Sequence, residues 1–207
     1  MQSIGTASVA LLLALAACGK SPEGNDTSIG YEAGSAEPVS HELGPFFHAE
    51  TKMMDGMLSA VGTSGADSWA RMMVEHHKGG VAMAQILLDQ QPTEPAAQAA
   101  RRTIGVLTGE IGTLEEFIAS GKPNYEEAII YLPAIEGMHG AMMAVQSADA
   151  TESWISKMIQ YHKGALEMTE VLLRRDDVPI EIRRAARLAK RSQTTEIEKL
   201  EEMLPGQ

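Results

Sequence analysis

The sequence has little cysteine and few aromatic residues, and both shortages narrow the kinds of protein it can encode. Cys18 is the only cysteine in 207 residues. If that residue is modified at the start of the mature chain, as argued below, the folded domain contains no thiol. Disulfides and zinc or iron–sulfur sites built on cysteine are then excluded. Phe, Trp and Tyr make up 4% of the chain, and Ala, Leu and Met are plentiful, which favours packed helices over sheets.

Familiar catalytic motifs are also missing. The chain has no phosphate-binding loop, dinucleotide fingerprint or plausible nucleophile triad. No strand-like alternation runs through residues 45–204. The formal net charge of −11 argues against nucleic acid or anionic lipid as a partner. We therefore expect an all-α protein that is not an enzyme and does not bind nucleic acid.

What the sequence does contain is an internal duplication. The stretch Trp69–Leu88 recurs 85 residues later as Trp154–Leu173, with the shared skeleton W-x3-M-x3-H-K-G-x3-M-x4-L. Repeats of this kind decide the fold before any other feature. In both copies the apolar positions follow alternating spacings of four and three, which predicts an amphipathic helix.

The helices around these two stretches are duplicated too. A shorter segment with a Met-x3-Met or Met-His-x2-Met pattern precedes each stretch, and a second long helix follows each one at an offset of 86. The chain therefore predicts a four-helix bundle of two repeated helical hairpins, each preceded by a short methionine-containing helix. The predicted domain covers residues 45–207, with repeat 1 at about 46–120 and repeat 2 at about 131–204.

The N-terminus resembles an export signal with a lipid attachment site. Residues 1–17 carry no charged side chain and end in Leu-Ala-Ala before Cys18, a pattern similar to the bacterial lipobox. Residues 18–44 then form a segment rich in Gly, Ser, Pro and Glu, typical of a flexible tether. We expect a lipoprotein of the periplasm or cell envelope that a lipid at Cys18 anchors to the membrane.

The duplicated helices concentrate methionine and histidine. His77 and His162 are the only histidines that both repeats keep, and each follows a methionine by four residues, so the two side chains are neighbours on one helix surface. Thioether and imidazole without thiolate suit Cu(I), and by analogy Ag(I). The candidate ligands are Met53, Met57, Met73, His76, His77, Met83, Met138, His139, Met142, Met158, His162 and Met168. Because neutral imidazole is required, we expect binding to weaken below about pH 6.

These runs resemble a known family. MMVEHHKGGVAMA and MIQYHKGALEMT are similar to the M-I-x-H-H-x-G-A-x-x-M-A signature of the family called domain of unknown function 305. The resemblance covers about residues 46–203. It implies an exported, ferritin-like helical bundle with a Met/His site for copper or silver. This chain departs from the pattern at Tyr161 and Met54, which stand where the family has histidine, and at Lys78 and Lys163, which stand where it usually has glutamine.

Two other functions compete with soft-metal binding, and the number of sites stays open. A ferritin-like di-iron oxidase needs two Glu-x-x-His motifs, and the chain has only Glu136-x-x-His139. A metal-free lipoprotein could instead use its bundle to bind another protein or a second copy of itself. The repeats are compatible with one shared metal site or one site each, and with storage, resistance or delivery of metal.

Overall fold

The computed structural model describes residues 44–204. The predicted signal peptide, the predicted lipid site at Cys18 and nearly all of the predicted tether lie outside the described residues. Within residues 44–204 the chain is helical without a strand. The elements are α1 (Phe47–Ser59), α2 (Gly65–Asp89), α3 (Glu94–Glu115), α4 (Tyr125–Ala128), a 3₁₀ turn (Ile129–Tyr131), α5 (Leu132–Met143), α6 (Ala150–Leu173) and α7 (Ile180–Glu201).

Local sequence explains where the long helices begin. The Ser64 side chain accepts a hydrogen bond from the backbone N–H of Asp67 at the start of α2, and Asp149 does the same for Glu152 at the start of α6. Each of these caps satisfies a backbone donor that the first helical turn leaves free. Proline at the first turn of α3 replaces one such donor.

The segment between the repeats is more ordered than the sequence indicated. The sequence predicted no helix between repeat 1, which ends at about 120, and repeat 2, which begins at about 131, but α4 and the 3₁₀ turn lie there. Asn124 starts α4 by accepting a hydrogen bond from the backbone N–H of Glu127. Tyr131 is fully buried, and its hydroxyl donates to the carbonyl of Gly65 at the start of α2. This contact ties the link to the first repeat.

Packing follows the duplication. In repeat 1, α2 packs against α1 and α3, and in repeat 2, α6 packs against α5 and α7; the repeats meet through α2 with α6 and α1 with α5. His76 stacks on Tyr161, its own counterpart at the offset of 85. A residue meets its own counterpart only near an axis relating two copies, so a pseudo-twofold axis passes between α2 and α6.

The predicted fold class is confirmed. The protein is all-α, and its four long helices α2, α3, α6 and α7 form a ferritin-like bundle of two repeated hairpins. Each hairpin is preceded by a short helix with buried methionines, Met53 and Met57 in α1 and Met138 and Met142 in α5. No helix among the described residues combines the length and apolar character needed to cross a bilayer.

Candidate metal centre

His76 occupies the centre of the bundle, where α2 crosses α6. Its ring lies 3.6 Å from the ring of Tyr161, nearly parallel, and its Nε2 lies 3.2 Å from the backbone oxygen of Tyr161. The Tyr161 hydroxyl in turn donates to the backbone oxygen of His76 at 3.1 Å. A Cβ at Gly80 would lie 2.6 Å from that hydroxyl, so the tyrosine fits only because position 80 has no side chain.

His77 points away from the axis toward α3. Its Nε2 lies 2.7 Å from Oε2 of Glu110, and its Nδ1 lies 3.5 Å from Nδ1 of His76. The imidazole is almost fully buried, whereas Glu110 is about a third exposed. The two adjacent histidines therefore turn one nitrogen each toward an oxygen and the other toward each other.

The oxygen partners fix the tautomers of this pair. A backbone carbonyl and a carboxylate only accept hydrogen bonds, so Nε2 of His76 and Nε2 of His77 must both carry hydrogen. In neutral imidazoles the facing Nδ1 atoms then present lone pairs to one another. Lone pairs so placed repel each other unless a proton or a cation lies between them. A ligating histidine that donates its other ring N–H to a carbonyl or carboxylate is the usual second-shell arrangement of metal sites.

Burial keeps part of this cluster neutral. It holds the pKa of His76 well below its ordinary 6.5, and the nearby His77 and His162 lower it further, whereas the hydrogen bond to the Tyr161 carbonyl opposes the shift. Burial also lowers the pKa of His162. Neutral imidazole is the form that binds metal, so His76 can act as a ligand at neutral pH.

The second repeat lacks the facing pair. Its conserved His162 is buried, with Nδ1 2.9 Å from Oε1 of Gln193 on α7. The residue before the conserved histidine is His76 in α2 but Tyr161 in α6, and tyrosine has no ring nitrogen. His162 is near the cluster, because it contributes to the pKa shift of His76, yet repeat 2 does not build a second pair of its own.

The structure does not bring the twelve candidate ligands together. Met53 lies over Gly79, where a Cβ would come within 2.5 Å of its sulfur, and Met138 lies over Gly164 in the same way. Positions 77 and 79 are about 200° apart around a helix, so Met53 and His77 lie on opposite sides of α2. The α1 and α5 methionines thus pack against the central helices and away from the His77 side.

The other candidates lie in the core or partly at the surface. Met83 follows His77 by six residues, a rise of about 9 Å. Met83, Met158 and Met168 are fully buried core residues. His139 is partly exposed, and its buried Nδ1 has no hydrogen-bond partner among the described residues. Of the methionines, Met73 is the one that lines a cavity together with His77.

That cavity gives His77 a route to solvent. A groove of about 360 Å³ opens between α3 and α7, and its lining residues include Trp69, Met73, His77 and Glu110. The α7 side is formed by small residues and one exposed leucine: Ala185, Leu188, Ala189 and Ser192. The positions of α3 that correspond to Leu188, Ala189 and Ser192 carry larger residues, which are Arg102, Thr103 and Val106.

Sequence reasoning missed the side chains that orient the histidines. Glu110 and Gln193 lie on the second long helix of each repeat, 33 and 31 residues after the histidine they contact. A signal was available for the first, because Glu110 recurs as Glu196 at the offset of 86. Within residues 44–204, no group of three or more His, Cys, Asp or Glu side chains is arranged to hold a metal ion, which is the kind of set that a di-iron centre needs.

Comparison with known proteins identifies relatives by family and by fold. A family model described as "Domain of unknown function (DUF305)" matches residues 17–118 and 134–204. The crystal structure of a DUF305 fragment from Deinococcus radiodurans superposes with a TM-score of 0.51 at 22% identity, covering 69% of this chain and 96% of that one. At this identity the likeness shows the shared helical fold. Among curated proteins, none matches this chain.

Proposed function

This chain belongs to the DUF305 family, and we propose that it binds a soft monovalent ion, Cu(I) or Ag(I), without catalytic turnover. The ion would be held by Nδ1 of His76 and Nδ1 of His77, with the Met73 thioether on the same side of α2 as a further soft donor. The observation that carries the proposal is the 3.5 Å approach of two Nδ1 atoms whose other ring nitrogens are both committed as donors.

The chemistry of the donors supports a soft monovalent ion. Imidazole and thioether are neutral and soft or borderline, which suits Cu(I) better than Zn, Mg or Ca. The Tyr161 carbonyl and Glu110 would hold the two rings in place, as outer-shell partners do in metal sites. The groove between α3 and α7 offers the ion an entry path to His77 and Met73.

The cellular role we propose follows from the N-terminal sequence. An apolar run that ends in Leu-Ala-Ala-Cys supports export and lipidation at Cys18, and the polar segment after it supports a tethered domain in the periplasm or cell envelope. A metal site in that compartment would serve sequestration, resistance or delivery. Labelling with a palmitate analogue tests the anchor: the wild type should take label and Cys18→Ala should not.

The metal proposal is tested by titration against a Cu(I) chelator and by the melting temperature with Ag(I). We expect tight binding and a higher melting temperature with Cu(I) or Ag(I), because a ligand of the native state stabilises it by mass action, and no shift with Mg. His76→Gln and His77→Gln should each weaken binding by at least about 100-fold. The matched control His162→Gln should stay within a few-fold of the wild type.

Each other outcome has a distinct meaning. If the wild type shows no shift with Cu(I) or Ag(I), the proposal fails and a metal-free role in protein interaction takes its place. If the His162 variant loses as much affinity as the His77 variant, the site is shared between the repeats and our assignment to repeat 1 is wrong. Iron instead of copper in the purified protein would restore the di-iron alternative.

A further inference from the structure

One face of α7 carries a cationic and apolar stripe. Ile180, Arg184, Arg187, Leu188 and Arg191 fall within about 100° of the helix circumference at 100° per residue. This stripe lies opposite the face that α7 buries, which is formed by Ile182, Ala186, Gln193, Ile197 and Leu200. The stripe is therefore directed to solvent along three turns of the helix, up to where Glu198 occupies the same face.

The stripe is available for a partner. Ile180 is 68% exposed and Leu188 is 53% exposed, the two large aliphatic residues of α7 that remain outside the core. Arg184, Arg187 and Arg191 are exposed, and none of them pairs with a carboxylate in the part of the chain that the structure describes. By contrast, Lys190 beside them is paired with Glu170 of α6.

The repeat supplies a comparison that shows the stripe is not required by the fold. At the offset of 86, α3 carries Glu94, Gln98, Arg101, Arg102 and Gly105 where α7 carries the stripe. The α3 segment is thus mixed in charge and lacks both aliphatic residues, although it packs in the same way. Arg101 also lies 3.6 Å from Glu94, so part of its charge is balanced locally.

We propose that this stripe docks the protein on an anionic phospholipid surface. The three exposed arginines can attract anionic headgroups, and the exposed Ile180 and Leu188 between them can enter the acyl boundary. Nucleic acid would use the cations but has no use for Ile180 and Leu188. The net charge of −11 does not prevent this local attraction, because charges more than about 8 Å away are screened at physiological salt.

The test reads the stripe itself, so that any other membrane contact of the full chain does not interfere. A polarity-sensitive fluorophore is attached at Thr194→Cys, beside the stripe, in a Cys18→Ala background. The matched control is Thr108→Cys, the corresponding exposed position on α3. With vesicles of phosphatidylglycerol and phosphatidylcholine we expect a blue shift at position 194 and none at 108, lost with pure phosphatidylcholine and at high salt.

Charge variants complete the experiment. Replacing Arg184, Arg187 and Arg191 by Gln should weaken binding to anionic vesicles about 100-fold, at roughly a factor of five per cation. The control Arg101→Gln with Arg102→Gln should leave binding unchanged. An equal shift at both label positions, or an unaffected triple variant with intact helicity by circular dichroism, overturns the proposal. A shift with a short DNA duplex but not with vesicles overturns it in favour of a nucleic-acid partner.

Discussion

The contact of α1 with α6 and the corresponding contact of α5 with α2 are made by different kinds of side chain. At one place Glu50 of α1 and Lys157 of α6 form a buried ion pair, with Nζ 2.9 Å from Oε1 and 3.1 Å from Oε2. Only the Oε2 contact has hydrogen-bond geometry, and Nζ also donates to the Met142 carbonyl at 2.7 Å. At the corresponding place, repeat-related positions hold Ile135 and Met72, which line one small apolar cavity.

This difference shows that the fold does not need the ion pair. The backbone accepts an aliphatic pair at the equivalent position, so burial of two charges is a property of one junction and not of the architecture. Burying a carboxylate and an ammonium costs several kcal/mol of desolvation, which their attraction offsets only while both partners are present. The two junctions should therefore respond differently to mutation.

The histidine sites differ in the same manner. Repeat 1 orients His77 with a carboxylate and places His76 beside it, whereas repeat 2 orients His162 with the neutral amide of Gln193 and places Tyr161 beside it. The duplication has kept one histidine in each repeat but a facing pair in only one of them. A histidine that is present in both repeats therefore does not imply that both repeats form the same site.

The largest effect is expected at the ion pair. Lys157→Met alone should lower the free energy of unfolding by about 3–5 kcal/mol, because Glu50 is left charged and buried. Combining it with Glu50→Ile copies the Met72–Ile135 junction and should return stability to within about 1 kcal/mol of the wild type or above it. Urea unfolding measures both; a double variant as unstable as the single would contradict the equivalence of the two junctions.

The next effect should be the same in both repeats. Gly79→Ala and Gly164→Ala each place a methyl group about 2.5 Å from a methionine sulfur and should cost about 1–3 kcal/mol through overpacking. Gly105→Ala is the control, since nothing lies within 4 Å of a Cβ there, and it should stabilise α3 by up to about 1 kcal/mol. Thermal melts compare the three. Unequal costs at positions 79 and 164 would show that the short helices are not packed alike.

The third prediction separates the two histidine environments. Glu110→Gln should weaken Cu(I) binding by about 10–100-fold, because the His77 ring loses its charged acceptor. Glu196→Gln, the same change in repeat 2, should leave affinity nearly unchanged. Chelator competition at constant pH provides the measurement. Equal losses in both variants would place the site between the repeats.

The smallest effect concerns pH and the metal-free protein. Burial lowers the pKa of His76 and of His162 in the folded state. Below about pH 6.5, these two histidines therefore bind protons in the unfolded chain but remain neutral in the folded chain. The free energy of unfolding should therefore be highest above pH 6.5 and fall as the pH drops below it. Melts between pH 5 and 8 test this. His76→Gln should flatten the slope, whereas replacing the exposed His48 by Gln should not.

Much of the architecture could be read from the sequence. The apolar spacing of the long helices and the offset between repeats predicted the hairpins, and a short methionine-containing helix precedes each hairpin as expected. The link around α4 was underestimated, because its order depends on the Tyr131 contact with Gly65, which is 66 residues away. Periodicity reports which face of a helix is buried, and a contact at that separation leaves no periodic trace.

The candidate site divides along the same line. The sequence by itself determined that His77 and His162 lie on amphipathic helices, each one turn after a methionine, because that relation is local to 3.6 residues per turn. Only the tertiary structure decided which candidates share a place. Whether a donor meets His77 depends on which helix packs on which side of α2: α3 brings Glu110 to it, while α1 carries Met53 to the opposite side. Positions 77 and 79 are only two residues apart along the chain, yet they face opposite sides of α2.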